Sequence, residues 1–322
     1  MNSSDNASSP QQVALRDSLV SAVVKNLLVV LLWFLLQYIN ATLFATFFKH
    51  QTFHEEPRYI LFIHMVINDS AQLSFSVTLF LLSYIVFHIR VSLCCVFILL
   101  TVFSTRNTPL NLAAMAAERY VAICRPLRHH QLCTARRTYL TILLIWLVSV
   151  APEVTDLFFT VASQPPGFFL GYVFCVRSNV FPDALMMHKR IAFDCFYFLC
   201  VFLTLVFTYI KILRAARSAS AQKGLAERAR NTVLLHGVQL TMCLLAYVSP
   251  GVELLLLLVF PSHMREIRYV GYLLVNILPR FLSPVIYGIR DDKFRRFLNE
   301  TQRSCFAPVR PRKRPPGGVV SR

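Results

Sequence analysis

The sequence predicts an all-α fold, a bundle of seven membrane-spanning helices, on three observations: its hydropathy, its long apolar runs and the sidedness of its basic residues. Hydrophobic residues make up 56% of the 322 and charged residues only 15%, a balance foreign to a water-soluble chain of this length. Gly is scarce, at 9 residues. No stretch alternates polar and apolar over the roughly ten residues that a membrane β-strand needs, so helices are expected and a barrel is not. A spanning helix needs roughly 20 predominantly apolar residues. Runs meeting that criterion lie at Leu27–Phe48, Tyr59–Val86, Val91–Ile123, Tyr139–Ala162, Ile191–Leu213, Thr232–Phe260 and Tyr269–Ile289.

In chain order, segment 1–26 opens with MNSSDNASSP, which lacks the basic start and apolar core of a cleaved leader. The first span is therefore expected to direct insertion. Asn2-Ser3-Ser4 and Asn6-Ala7-Ser8 are glycosylation acceptors, useful where this end faces outward. One alternate set of connections, including the tail, carries 23 Lys and Arg against 8 in the other. The positive-inside bias then places segment 290–322 in the cytosol and 1–26 outside, on the side the acceptors require. The spans of 27–289 form the membrane domain between them. The net charge of +17 is thus read as membrane topology, and no nucleic-acid partner is expected.

Within the spans, the second holds His64, Asn68 and Asp69, the third Arg106, and the fourth Trp146. Intramembrane charges are costly and mark candidate sites. Arg106 stands about 13 residues before Arg119, or about 20 Å along a helix, and Asp194 about 15 before Tyr209, or about 22 Å, so both lie at similar depth in the outer half. Glu253 is a third candidate. These three are expected to line an outer cavity, binding a polar ligand or pairing with each other, with Thr101 and Thr105 one turn apart on the Arg106 helix. Pro250 interrupts the sixth span and allows a kink. Beyond the seventh, DDKFRRFL sets Phe294, Phe297 and Leu298 on one face behind Asp291 and Asp292, as in an amphipathic helix on the inner leaflet. Cys305 is a candidate for palmitoylation. The stretch from Ala307 is basic and Pro-rich, expected to be disordered and drawn to anionic lipid.

MAAERYVAICRPLRHH, from Met115 to His130, closely resembles the hallmark of odorant receptors, within the rhodopsin-like (class A) G-protein-coupled receptors. The departures given below, with FHEEPRYILFIHMVINDS in place of the usual Pro-Met-Tyr-Phe-Phe pattern, make the fish type the nearest resemblance. The resemblance continues in TYIKIL around Tyr209 and in LSPVIYGIRDDKFRR, with Ser283, Pro284 and Tyr287. It implies that Glu118 holds Arg119 at rest, and that Arg119, Tyr120 and Arg125 belong to the G-protein-coupling end. It further implies that Tyr209 and the Ser283-Pro284-Tyr287 segment switch on activation, and that Pro250 is the hinge of the sixth helix. Asn40 and Asp69, with Ser283, would form an inner polar network able to hold a sodium ion. The departures are Glu118 for the commoner Asp, Ala117 for Tyr, Ser283 for Asn, and no Pro near Val201. Cys94 or its neighbour Cys95 is placed at the outer end of the third span, and Cys175 is the one cysteine of the longest outer loop. The family pattern favours a Cys94–Cys175 bridge.

The implied function is a receptor in the plasma membrane of olfactory sensory neurons. It would bind a small odorant and activate a heterotrimeric, olfactory-type stimulatory G protein, with cyclic AMP as the signal and no cofactor. No Asp stands at Thr101, which argues against an amine receptor of the usual kind. No GxxxxGK, HExxH or GxSxG occurs, so an enzyme is not expected. The nine cysteines are too dispersed for a zinc cluster. A small-solute transporter or channel is the alternative, with Arg106, Asp194 and Glu253 as pathway charges. Seven spans without an internal repeat weigh against it.

Overall fold

The computed structural model describes residues 19–86, 88–181, 183–218, 237–238, 241–242, 244–245, 248–249, 251–282, 284 and 292–306. Asn2, Asn6, Pro250, Ser283, Tyr287 and the stretch from Ala307 lie outside the described residues. Five described helices are long and apolar enough to cross a membrane: Val20–Lys49, Pro57–Leu82, Val91–Cys124, Ala135–Ser163 and Leu185–Ala215. Helix also occupies 251–259 in the sixth run. Met264–Tyr272, a π-helical turn Leu273–Ile277 and helix to 282 follow in the seventh. The only strands among the described residues are Ile89–Arg90 and Tyr172–Val173, paired antiparallel between two outer loops.

Three described helix starts differ from the sequence expectation by about five residues or more. The first helix begins at Leu19 rather than Leu27. Lys25, which a hydropathy window counts against a span, lies 3.9 Å from Glu266 and over the ring of Tyr269, so the helix continues through it. The fifth begins at Ala184 rather than Ile191, taking Lys189 and Arg190 into the helix. The seventh begins at Met264 rather than Tyr269.

The third helix, Val91–Cys124, is the axis of the bundle and packs against the second, fourth and fifth. It is polar for a membrane helix because much of it faces other helices: Asn107 and Asn111 are buried beside Pro109 and Leu112. The first helix instead exposes Val20, Leu27, Leu31 and Phe34, the pattern of a surface facing lipid. Leu36, Leu73, Val77 and Ile277 join the first, second and seventh helices, while Tyr197, Val201, Leu110 and Leu244 join the third, fifth and sixth. Pro109 disturbs the hydrogen-bond ladder of the third helix. The Arg106 carbonyl, on the disturbed turn, accepts the Tyr197 hydroxyl.

The amphipathic segment after the seventh span is a helix, Asp292–Phe306, longer than the sequence suggests. Its apolar face packs on the protein's own inner end rather than on lipid alone. Phe294 is 1% exposed, its ring 5.2 Å from Phe53 and 5.5 Å from Phe62, and Lys293 reaches Glu56 at 2.7 Å. Phe294→Ala is expected to remove about 3 kcal/mol of docking. Hydrogen exchange over 292–306 should then speed up by about a hundredfold; unchanged protection would show that lipid, not Phe53, holds this helix.

Candidate functional site

Candidate functional side chains gather at three depths along the third helix. At its inner end Glu118 is buried, and its carboxylate is shared. Arg119 Nε lies 3.7 Å from one oxygen, and Nε2 of His129 lies 3.1 Å from the other. Arg119 itself keeps 33% of its side chain exposed toward the inner face. His129 belongs to a short loop helix, Pro126–Leu132, which Arg125 separates from the third span and Pro126 opens. The Tyr120 ring meets Phe207 edge to face at 5.7 Å, and Cys124 Sγ lies 3.6 Å from the Lys211 carbonyl, so the same turn is tied to the fifth helix. Tyr209 is partly exposed on that helix, and Pro284 is buried in the seventh. Burial pushes the nearby Cys133 thiol above its usual range, helped by Glu118 and opposed by Arg137, which lowers its thiolate fraction.

At mid-depth, Asp69 and Asn40 are buried. Thr108 donates to Asp69 at 3.3 Å, while Asn68 donates to the Ser104 carbonyl at 3.0 Å and to Thr108 at 3.1 Å. Neither side-chain polar atom of Asn40 has a hydrogen-bond partner among the described residues. The polar His64 of an apolar run is accounted for by a directed chain. Trp146 Nε1 can only donate, and it lies 2.8 Å from His64 Nε2, which must accept. The ring proton then sits on Nδ1 and is donated to Asn111 Oδ1 at 3.1 Å, while Asn111 Nδ2 donates to the Leu61 carbonyl at 3.0 Å. Three helices are fixed by one neutral imidazole.

At the outer depth Arg106 is 0% exposed. Its Nε and a terminal nitrogen meet Asp194 at 3.0 and 2.9 Å, and its other terminal nitrogen pairs with Glu153. Glu153 also takes Arg177 at 3.1 Å, Arg177 takes Asp156 at 2.7 Å, and Lys189 pairs with Asp156. Arg106 and Asp194 thus meet, as their depths suggest. Phe193 lies under the Arg106 guanidinium at 5.4 Å. Arg177 comes from the outer loop, and Cys175, two residues before it, is bonded to Cys94 with Cα atoms 5.6 Å apart. Cys95 is free and buried. The loop is therefore held down by a covalent bond and by a cation reaching into the bundle, in addition to the strand pairing at Tyr172–Val173. Thr105 accepts from Gln72 at 2.6 Å and donates to the Thr101 carbonyl, and Thr101 donates to the Phe97 carbonyl. Glu253 does not join this cluster; it pairs with Arg268 at 2.9 Å on a half-exposed edge between the sixth and seventh helices.

Residues 39–287 match the 7 transmembrane receptor (rhodopsin family) pattern. The chain belongs to this family. Among its relatives, Odorant receptor 131-2 of Danio rerio is 35% identical over 300 residues, which cover 91% of this chain and 89% of the relative. Olfactory receptor 4K15 of Homo sapiens is 24% identical over 265 residues, 78% of each chain. Melanopsin of Phodopus sungorus is 29% identical over 204 residues, 58% of this chain and 42% of the relative. This rhodopsin-family chain is a membrane-spanning receptor and not an enzyme. Sequence reading of the receptor missed His129, Glu153, Asp156, Arg177 and Lys189. Glu153 and Asp156 had a signal, two acids one turn apart inside an apolar span. His129 stood inside the quoted motif, but its contact with Glu118 had no signal, because it lies in a loop whose path the sequence does not specify.

Proposed function

We propose that this receptor binds a small waterborne odorant in the outer half of the bundle and activates a heterotrimeric G protein of the olfactory stimulatory type, raising cyclic AMP. The observation that carries the reading is that one continuous helix, Val91–Cys124, holds Arg106 in the outer ion cluster and Arg119 at the inner face. A ligand that repacks the outer end biases the equilibrium between resting and active arrangements by its differential affinity for the two. At rest Glu118 holds Arg119, with His129 as a second partner. On activation Arg119 leaves Glu118 and, with Tyr120 and Arg125, meets the G protein. Pro250 acts as the hinge of the sixth helix, and Tyr209, Ser283, Pro284 and Tyr287 rearrange around it. Asn40, Asp69 and Ser283 form the inner polar network, which holds a sodium ion that favours the resting packing. Glycans on Asn2 and Asn6 and a palmitoyl group on Cys305 complete a protein of the plasma membrane of olfactory sensory neurons.

The test is cyclic-AMP production in cells expressing the full chain with an olfactory stimulatory G protein, challenged with water-soluble odorants. Arg119→Ala at matched surface level should lower the ligand-dependent rise by about tenfold or more. A response that survives this substitution unchanged would sink the proposed mechanism.

A further inference from the structure

Three carboxylates and three cations of the outer cluster satisfy one another: Glu153, Asp156 and Asp194 pair with Arg106, Arg177 and Lys189. A fourth cation stands beside them. Arg190 lies one turn before Asp194, on the same face of the fifth helix. It is half-buried and within electrostatic reach of Arg177, Asp194, Glu153 and Asp156. Yet it makes no hydrogen bond and no ion pair with any described residue. Asp194, the acid best placed for it, already takes two nitrogens of Arg106. Asp183, upstream of it, accepts the backbone N–H of Leu185. The cluster therefore holds one more positive charge than it neutralises, in a region where an unmatched charge is costly.

We infer that the ligand of this receptor is a small organic anion, a carboxylate in the simplest case, whose charged group is held by Arg190 beside the Arg106 cluster. The inference rests on the receptor reading above and adds to it the charge of the ligand. A guanidinium offers a planar fork that matches a carboxylate with two parallel hydrogen bonds. An amine would meet the excess positive charge, and an alcohol would leave Arg190 unmatched. The phosphate of an anionic lipid offers the same chemistry, so the experiment separates the two sources.

The full chain is purified into phosphatidylcholine nanodiscs, with and without phosphatidylglycerol. Thermal unfolding is followed against butanoate to octanoate and against the amides, alcohols and amines of the same chain lengths. The acids are expected to raise the unfolding temperature in plain phosphatidylcholine. The half-saturating concentration should rise by about tenfold or more in Arg190→Gln. Arg190→Lys, which keeps the charge and loses the fork, should fall between the two. Absence of stabilisation by every acid, equal half-saturation in wild type and Arg190→Gln, or stabilisation by amines or alcohols in place of acids overturns the inference. So does Arg190-dependent stabilisation by phosphatidylglycerol with no effect of the acids. Because this readout is binding, a missing cyclic-AMP response in cells fails the receptor reading alone.

Discussion

Arg106→Ala is expected to cost about 3–5 kcal/mol and to keep most of the protein from the cell surface. The guanidinium is 0% exposed and serves two carboxylates, Glu153 and Asp194, of which Glu153 is itself almost fully buried. Removing the cation leaves Asp194 with no ion-pair partner and Glu153 with Arg177 alone. The penalty comes mostly from the stranded charge, so removing the charge with its partner should relieve it. Arg106→Met combined with Asp194→Leu is therefore expected to be less damaging than Arg106→Met alone, because Glu153 keeps Arg177 and no acid is stranded. Surface staining in cells and thermal unfolding of the purified chain measure both. A single substitution with wild-type unfolding temperature, or a double one worse than the single, would show that the cluster does not hold the fourth and fifth helices to the third.

The sequence made the bundle legible because the membrane imposes two coarse and independent signals, the length of apolar runs and the side on which basic residues fall. Helix ends were less legible, and the reason is the same at two of them. Lys25 and Lys189 each count as loop in a hydropathy window, yet each is neutralised by an acid from another helix, Glu266 and Asp156, and so stays inside a helix. Depth was legible for Arg106 and Asp194, since axial rise is fixed at about 1.5 Å per residue. Direction around the helix was not. Glu253 lies in the sixth run but turns toward Arg268, because the rotation of a helix about its axis is set by packing that one span does not encode. The inner ion cluster was half legible: the Glu118–Arg119 pair could be read from the sequence, whereas the contact of His129 with Glu118 depends on the fold of the Pro126–Leu132 turn.

Cys94→Ser and Cys175→Ser should each abolish the ligand response, by the same amount, and the double substitution should be no worse than either. The bridge closes 81 residues. For a random coil of that length the entropy of closure is worth about 4.5 kcal/mol. Here most of the enclosed chain is the third and fourth helices, which stay threaded through the membrane when the bridge is cut, so the freedom gained is chiefly that of the outer loop. The consequence is local and functional rather than global. Freed from Cys94, the loop no longer presents Arg177 to Glu153 and Asp156, two buried acids that would then rely on Arg106 and Lys189 alone. Hydrogen exchange over 166–181 should therefore rise with either serine, and Arg177→Ala should reproduce part of the rise with the bridge intact. Cys95→Ser is the control: Cys95 is a free thiol in the same helical turn, so its loss should leave loop protection and response near wild type. If Cys95→Ser instead matched Cys94→Ser, the bridge would pair the wrong sulfur. If Arg177→Ala left exchange untouched, the covalent bond, the strand pair and the apolar packing would hold the loop without that cation.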